Sequence, residues 1–356
     1  MTKEFDSRQD KTRQDKTRQD KTRQDKTRQD KTSLDNDTAV PAGKNEYGLV
    51  MHPSVLSIPP ATIDAFVAMN ASIRSNHERL RAVYAEHVTN SKGAISKTAE
   101  RALSRAPEGK QKTALILGAG NCLDIPLVDL TTKFDKVTLV EVDHKSTEAA
   151  VKELPRELQR KTEIVAADVT GFVGDFAGKI QPATVSSLPE FLRRATTIAK
   201  QTDVRGKGPD LGTDYTFVSS QLVMTQLASL PHDYLQTAVR KRYGTNLSSM
   251  PGGADHDLFM NMQRVTLELQ QEHIRQLSEL ANPNGTVHLA DTYAKLVPIP
   301  FSDQQQIWPM VLTTKIDPVV EQHFTSIPQE PNLWIWDNSP GNYKFAVMAH
   351  SFDPKL

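Results

Sequence analysis

The chain has 356 residues, 38% of them hydrophobic and 24% charged, a globular composition that fits one large domain with or without a smaller appendage. Basic and acidic residues balance to a formal net charge of zero, so the charge calls for no polyanionic partner. A single cysteine, Cys122, excludes an intrachain disulfide framework and any paired-cysteine metal or redox site; with no apolar run behind Met1 and no long apolar stretch elsewhere, a cytoplasmic setting is expected.

Residues 8 to 32 are five tandem copies of Arg-Gln-Asp-Lys-Thr. The unit has no apolar residue, and a five-residue step turns a helix by about 140°, so no stable face forms. Residues 1 to 45 are therefore expected to be a disordered, solvated tail. The tail carries a net positive charge, which leaves a weak electrostatic tether as its functional alternative.

After a linker rich in proline and glycine, Ile63, Phe66, Val67, Ile73, Leu80, Val83 and Tyr84 recur at helical steps, and a second helix is expected over Ile95 to Leu103. Residues 46 to 110 thus read as a helical cap, stopped by Pro107 and Gly109. From residue 111 to 356 short apolar runs alternate with helical stretches, the pattern of an α/β, doubly wound, mostly parallel sheet. The runs are Ala114 to Leu117, Val137 to Val142, Glu163 to Ala167, Tyr215 to Val218 and Thr286 to Ala290. Helices are expected over Pro189 to Lys200 and Asp257 to Leu280, the latter ended by Asn282-Pro-Asn-Gly285. Leu333 to Trp336 and Tyr343 to His350 read as a closing antiparallel hairpin.

The turn Gly118-Ala119-Gly120-Asn121-Cys122 directly follows the first of these runs. Glycines there let the backbone turn sharply and approach a ligand where a side chain would clash. Glu141 lies twenty-one residues after Gly120, near the end of the second run, followed by Val142 and Asp143; Asp168 ends the third and precedes Val169. An acid about 20 residues beyond such a loop can accept the hydroxyl protons of a ribose, with Glu141 the better candidate and Asp143 the second.

This ordered set, with five strands of βα type and a final hairpin, resembles the Rossmann-like fold of class I S-adenosylmethionine-dependent methyltransferases, in which a seventh, antiparallel strand inserts beside the fifth. The resemblance begins near residue 111. It implies S-adenosylmethionine as cofactor, the glycine turn passing under its amino acid and ribose parts, and Asp168 with the backbone of Val169 facing the adenine. Without a ligand, Asp168 would serve as a helix cap. Two positions depart from the family pattern: the residue before the turn, often acidic in the family, is Leu117, and the third small position is Cys122. Asp124 can supply the missing charge, or cap the next helix. A third glycine suited to a dinucleotide is replaced by Leu123, which disfavours nicotinamide.

The resemblance also places Ser219, Ser220 and Gln221 beside the transferable methyl group. Adenine and glutamine N-methyltransferases carry an Asn or Asp-Pro-Pro-Tyr or Phe motif there, and catechol-type enzymes a metal-binding Asp; neither is present. No metal is therefore expected, and nucleic acid is disfavoured as a substrate. Ser219, Ser220, His232, His256 and Tyr293 are weak candidates for catalysis, with Asp291 beside them, while His288 and His350 read as structural. His256 precedes Asp257 in a Gly-rich stretch that reads as a helix start more simply than as a metal cluster. Leu296 to Pro318 is an insertion suited to a lid. The expected activity is methyl transfer to a small molecule, with a protein acceptor as an alternative; a non-catalytic scaffold and a nicotinamide-dependent oxidoreductase are the competing functions.

Overall fold

The computed structural model describes residues 49–180, 185–227, 229–247, 254–299, 305–309, 313–327, 332–339 and 343–355; the five-copy repeat lies outside them. Residues 44–356 cluster as one compact unit. Its strands are β1 (Leu49–Met51), β2 (Thr113–Leu117), β3 (Lys136–Glu141), β4 (Thr162–Ala166), β5 (Tyr215–Gln221), β6 (Ala281–Pro298), β7 (Gln305–Pro309), β8 (Phe324–Ser326), β9 (Asn332–Ser339) and β10 (Tyr343–Pro354). The helices are α1 (Pro53–Leu56), α2 (Pro60–Arg79), α3 (Arg81–Arg105), α4 (Leu127–Lys133), α5 (His144–Lys152), α6 (Arg156–Gln159), α7 (Val173–Ile180), α8 (Leu188–Gln201), α9 (Ser229–Tyr243), α10 (Ala254–Leu280) and α11 (Thr313–His323).

One sheet runs in the order β1-β4-β3-β2-β5-β6-β10-β8, with β7 on β6 and β9 on β10. All neighbours from β1 to β6 are parallel, whereas β10 pairs antiparallel with β6. The sheet is therefore Rossmann-like and doubly wound, with the antiparallel β10 lying between β6 and β9. The order reverses between β2 and β5, and the crevice beyond the carboxyl ends of such strands is where ligands bind in open α/β sheets.

Alternation along each strand builds two cores. Leu115, Leu117, Val140 and Val218 pack with Phe172, Phe176 of α7, Phe191 of α8 and Leu269 of α10. On the other face Ala114, Ile116, Leu139 and Phe217 meet Ile95 and Ala99 of α3 and Leu130 of α4. Both faces of a parallel sheet are thus covered, which is why its strands read as nearly unbroken apolar runs.

The N-terminal segment takes part in this sheet. Leu49, Val50 and Met51 pair with Ile164, Val165 and Ala166, adding an edge strand that the sequence pattern does not reveal. The second expected helix, over Ile95 to Leu103, is the end of a 25-residue helix. This helix carries His87, Ser91 and Thr98 inward, polar residues that interrupt the apolar period but find partners in the fold. The insertion after β6 extends that strand to Pro298 and then forms β7 and α11.

Candidate ligand site at the switch point

The turn after β2 crosses over β3: the amides of Gly118 and Ala119 both donate to the Val140 carbonyl at 3.1 Å. Gly118, Gly120 and Cys122 all have positive φ (71°, 51° and 55°). The two glycines are needed for different reasons. A Cβ on Gly118 would lie 2.5 Å from Cγ2 of Val223, so this glycine serves the approach of the loop after β5. A Cβ on Gly120 would meet nothing within 4 Å, because that side of the turn opens into a cavity. Cys122 holds its left-handed conformation without glycine's freedom. Its side chain is buried in the core beneath the turn, where burial pushes the thiol well above its ordinary range.

Glu141 closes the turn. Its Oε2 accepts from the Gly120 amide at 2.8 Å, and its Oε1 accepts from the amides of Val142 (2.9 Å) and Asp143 (3.2 Å). Burial raises its carboxyl above the usual range against the opposing pull of these amides. Asp143 stands behind, away from the cavity, where its oxygens accept from Asn70 of α2 and from the amide and hydroxyl of Ser146, capping α5. Asp168 does face the cavity, but its carboxylate accepts from the amide and hydroxyl of Thr170 and from the Val173 amide at 2.7 to 2.9 Å. It is 1% exposed, so the carboxylate braces the loop into α7 and the adjoining Val169 offers surface to the cavity.

From β5 the cavity takes Gln221, and beyond the strand Leu222, Val223 and Gln226. Gln221 donates to the Ser91 hydroxyl at 2.6 Å and to Asp124 Oδ2 at 3.3 Å, which couples β5, α3 and the glycine turn. Its Oε1, and Nδ2 of Asn121, are buried in the cavity wall without a hydrogen-bond partner. Leu222 sits at φ 55°, a strained geometry for a side chain with a Cβ.

The remaining wall comes from α3 and β9. Tyr84, His87 and Trp336 line it, with the imidazole of His87 stacked on the Trp336 indole at 4.3 Å and 12°. The Trp334 indole donates to Nδ1 of His87 at 2.9 Å, and Nε2 stands 3.9 Å from Asp124 Oδ2. An indole N–H can only donate, so Nδ1 is the acceptor and the neutral ring carries its proton on Nε2. The sequence reading has these N-terminal helices as a cap but does not single out His87 or Trp336. The signal for His87 was the continuation of Leu80, Val83 and Tyr84 by His87, Val88 and Ser91 at helical steps, obscured by the polar members.

The other expected residues lie apart. Ser219 and Ser220 are fully buried and do not line the cavity; Ser220 Oγ is 2.8 Å from Nε2 of His273 on α10, on the opposite face. Tyr293 and Asp291 border a second depression between β6, β10 and α11. Asp291 accepts from the amide and hydroxyl of Thr225, and burial pushes its carboxyl up to about 6. His256 is exposed in the first turn of α10, and the His232 side chain lies outside the described residues. No described residue between 296 and 318 borders the cavity. Among the described residues, no helix is long and apolar enough to cross a membrane.

No protein-family model matches the chain, and no curated protein does. Solved structures matched along most of its length include a TehB-like SAM-dependent methyltransferase from Corynebacterium glutamicum, with 10% identity, 80% of this chain and 99% of that one covered, and a TM-score of 0.33. A ribosomal protein L11 methylase from Lactobacillus delbrueckii subsp. bulgaricus matches at 10% identity over 74% of this chain and 79% of its own, with a TM-score of 0.31. The glycopeptide N-methyltransferase MtfA complexed with S-adenosylmethionine matches at 11% identity over 72% and 93%, with a TM-score of 0.29.

Proposed function

We propose that this chain is an S-adenosylmethionine-dependent methyltransferase acting on a small molecule. The observation that carries the proposal is the junction of Gly120 and Glu141: a turn open to a cavity and a half-buried carboxylate tied to it, at the point where the strand order reverses.

The residues present fit the cofactor. Buried polar atoms without partners are costly, and Gln221 Oε1 and Asn121 Nδ2 are an acceptor and a donor of that kind. The ammonium and carboxylate of an amino acid would satisfy both, with Asp124 beside Gln221 supplying the negative charge missing at Leu117. Glu141 keeps acceptor capacity for ribose hydroxyls after its three amide bonds. Val142, Ala167 and Val169 offer apolar surface for a planar base.

Bound there, S-adenosylmethionine supplies a methyl group on a positively charged sulfur. The chain's own part is to orient and to exclude water: Leu222, Tyr84 and Trp336 enclose the cavity on the side facing α3, and holding reactants in register is the main source of rate in such displacements. The Trp334 N–H occupies the lone pair of His87 Nδ1, so that nitrogen is not poised as a base.

Calorimetric titration with S-adenosylhomocysteine, and separately with NAD, tests the cofactor. Binding of the first and not the second is expected; the reverse would replace the proposal with an oxidoreductase. Label from methyl-labelled S-adenosylmethionine should then enter the small-molecule fraction of a cell extract. Incorporation only into protein or RNA would overturn the choice of acceptor.

A further inference from the structure

We infer that the outer half of this cavity is an acceptor subsite for a neutral amine that acquires positive charge on methylation, held against the indole of Trp336. The inference rests on the methyltransferase reading and names the substrate class for it.

Charge is the first argument. The cavity wall includes the acidic residues Asp124 and Glu141, with Asp168 buried directly behind it, and among the described residues no lysine or arginine lines it. An anionic acceptor, such as a carboxylate, phosphate or phenolate, would enter a field of its own sign. Transfer to a neutral amine instead keeps one positive charge in the cavity throughout: the nitrogen lone pair forms the new N–C bond, the S–C pair passes to sulfur, and the charge moves from sulfur to nitrogen.

The wall is the second argument. Tyr84 meets Trp336 edge-on at 6.1 Å, and His87 stacks on it, so three rings form one panel. Aromatic faces attract cations, most strongly when water is excluded. Hydrogen bonding gives the third. A hydroxyl acceptor needs a base to take its proton, and His87, the imidazole at this wall, has Nδ1 occupied by the Trp334 N–H and its own proton on Nε2. A neutral amine attacks through its own lone pair and needs no base at this wall.

The test uses the full chain saturated with S-adenosylhomocysteine and titrated with benzyltrimethylammonium, benzyl alcohol and benzoate, read by calorimetry and tryptophan fluorescence. Benzyltrimethylammonium is expected to bind about tenfold tighter than benzyl alcohol, with benzoate weakest. Trp336→Leu should lose that preference and Trp336→Phe should keep part of it, each variant being saturated with S-adenosylhomocysteine at its own measured affinity. Equal or tighter binding of benzoate, or an undiminished preference in Trp336→Leu, would overturn the inference. If S-adenosylhomocysteine itself fails to bind, the methyltransferase reading fails, and the same titrations on the free protein still report on the panel. If the ammonium displaces S-adenosylhomocysteine instead of adding to it, the subsite is the cofactor's own and the inference falls.

Discussion

The Gly120 amide donates to Glu141 Oε2 at 2.8 Å across twenty-one residues of sequence, so the turn after β2 and the acid at the end of β3 form one structural unit. Thr147 of α5 holds the same turn by donating to the Gly120 carbonyl at 2.8 Å. Removing Glu141 should therefore act on ligand and loop together. Glu141→Ala is expected to weaken S-adenosylhomocysteine about tenfold to hundredfold, since a charge-assisted hydrogen bond contributes roughly 1.5–3 kcal/mol. Glu141→Gln should lose less. Unchanged affinity in the alanine variant, measured by calorimetry, would remove Glu141 from the site.

The two glycines should separate in their effects. Gly118→Ala drives a Cβ into Val223 at φ 71°, and a loss of about 3 kcal/mol in urea unfolding is expected from overpacking and backbone strain. The Cβ of Gly120→Val would meet no protein atom within 4 Å, so the variant should cost mainly the strain of its φ, about 1–2 kcal/mol, yet abolish S-adenosylhomocysteine binding. Retained binding in Gly120→Val would refute the placement of the ligand.

Ser220 is expected to matter for stability and not for the ligand. Nδ1 of His273 already lacks a partner, and Ser220→Ala would strand Nε2 as well, at about 1–3 kcal/mol. Unfolding should register the loss while S-adenosylhomocysteine affinity stays within roughly twofold, because Ser220 faces away from the cavity. A large drop in affinity would return Ser220 to the site.

Acid should act on the fold through opposed groups. Burial lowers His273 to about 4 and His288 to about 3, so the unfolded chain takes up protons that the native one refuses, and stability falls as pH drops below about 6.5. Asp291, raised to about 6, works the other way: the native state binds its proton more tightly, so its contribution grows as pH falls from about 6 to about 4. Asp291→Asn should therefore lose stability on acidification more steeply than the parent, by up to about 3 kcal/mol between pH 7 and pH 4. Parallel pH profiles from urea unfolding would contradict the shift at Asp291.

Cys122, buried with its thiol pushed up, should be inert to a disulfide reagent in the native protein at neutral pH and react with one equivalent once unfolded. Rapid native labelling would show that the turn opens.

Much of the fold was legible because its causes are local. Apolar runs buried on both faces marked β2 to β6. The pattern at Asn282-Pro-Asn-Gly285 marked the end of α10, where Asn282 Oδ1 accepts from the Asn284 amide at 2.9 Å. Glycine's freedom at positive φ marked the turn, and the spacing to Glu141 marked its partner. The amide–carboxylate bond between them joins neighbouring strand ends, which chain order and parallel pairing already bring together.

What the sequence could not decide was which of two chemically equal groups faces the cavity. Asp143 and Glu141 are two residues apart, and only the packing of α2 and α5 turns Asp143 to Asn70 and Ser146 while Glu141 meets the turn. Ser220 and Gln221 are adjacent on β5, and strand alternation sends one toward His273 and the other toward Ser91. The aromatic wall is the extreme case, since His87 and Trp334 are 247 residues apart and meet only when β9 pairs with β10. The sequence by itself therefore determined the parallel strands β2 to β6, the glycine turn and its acid, each set by backbone preference and short-range periodicity. The tertiary structure alone decided the side chains that enclose the ligand, because their partners are chosen by packing between distant segments that leaves no local pattern.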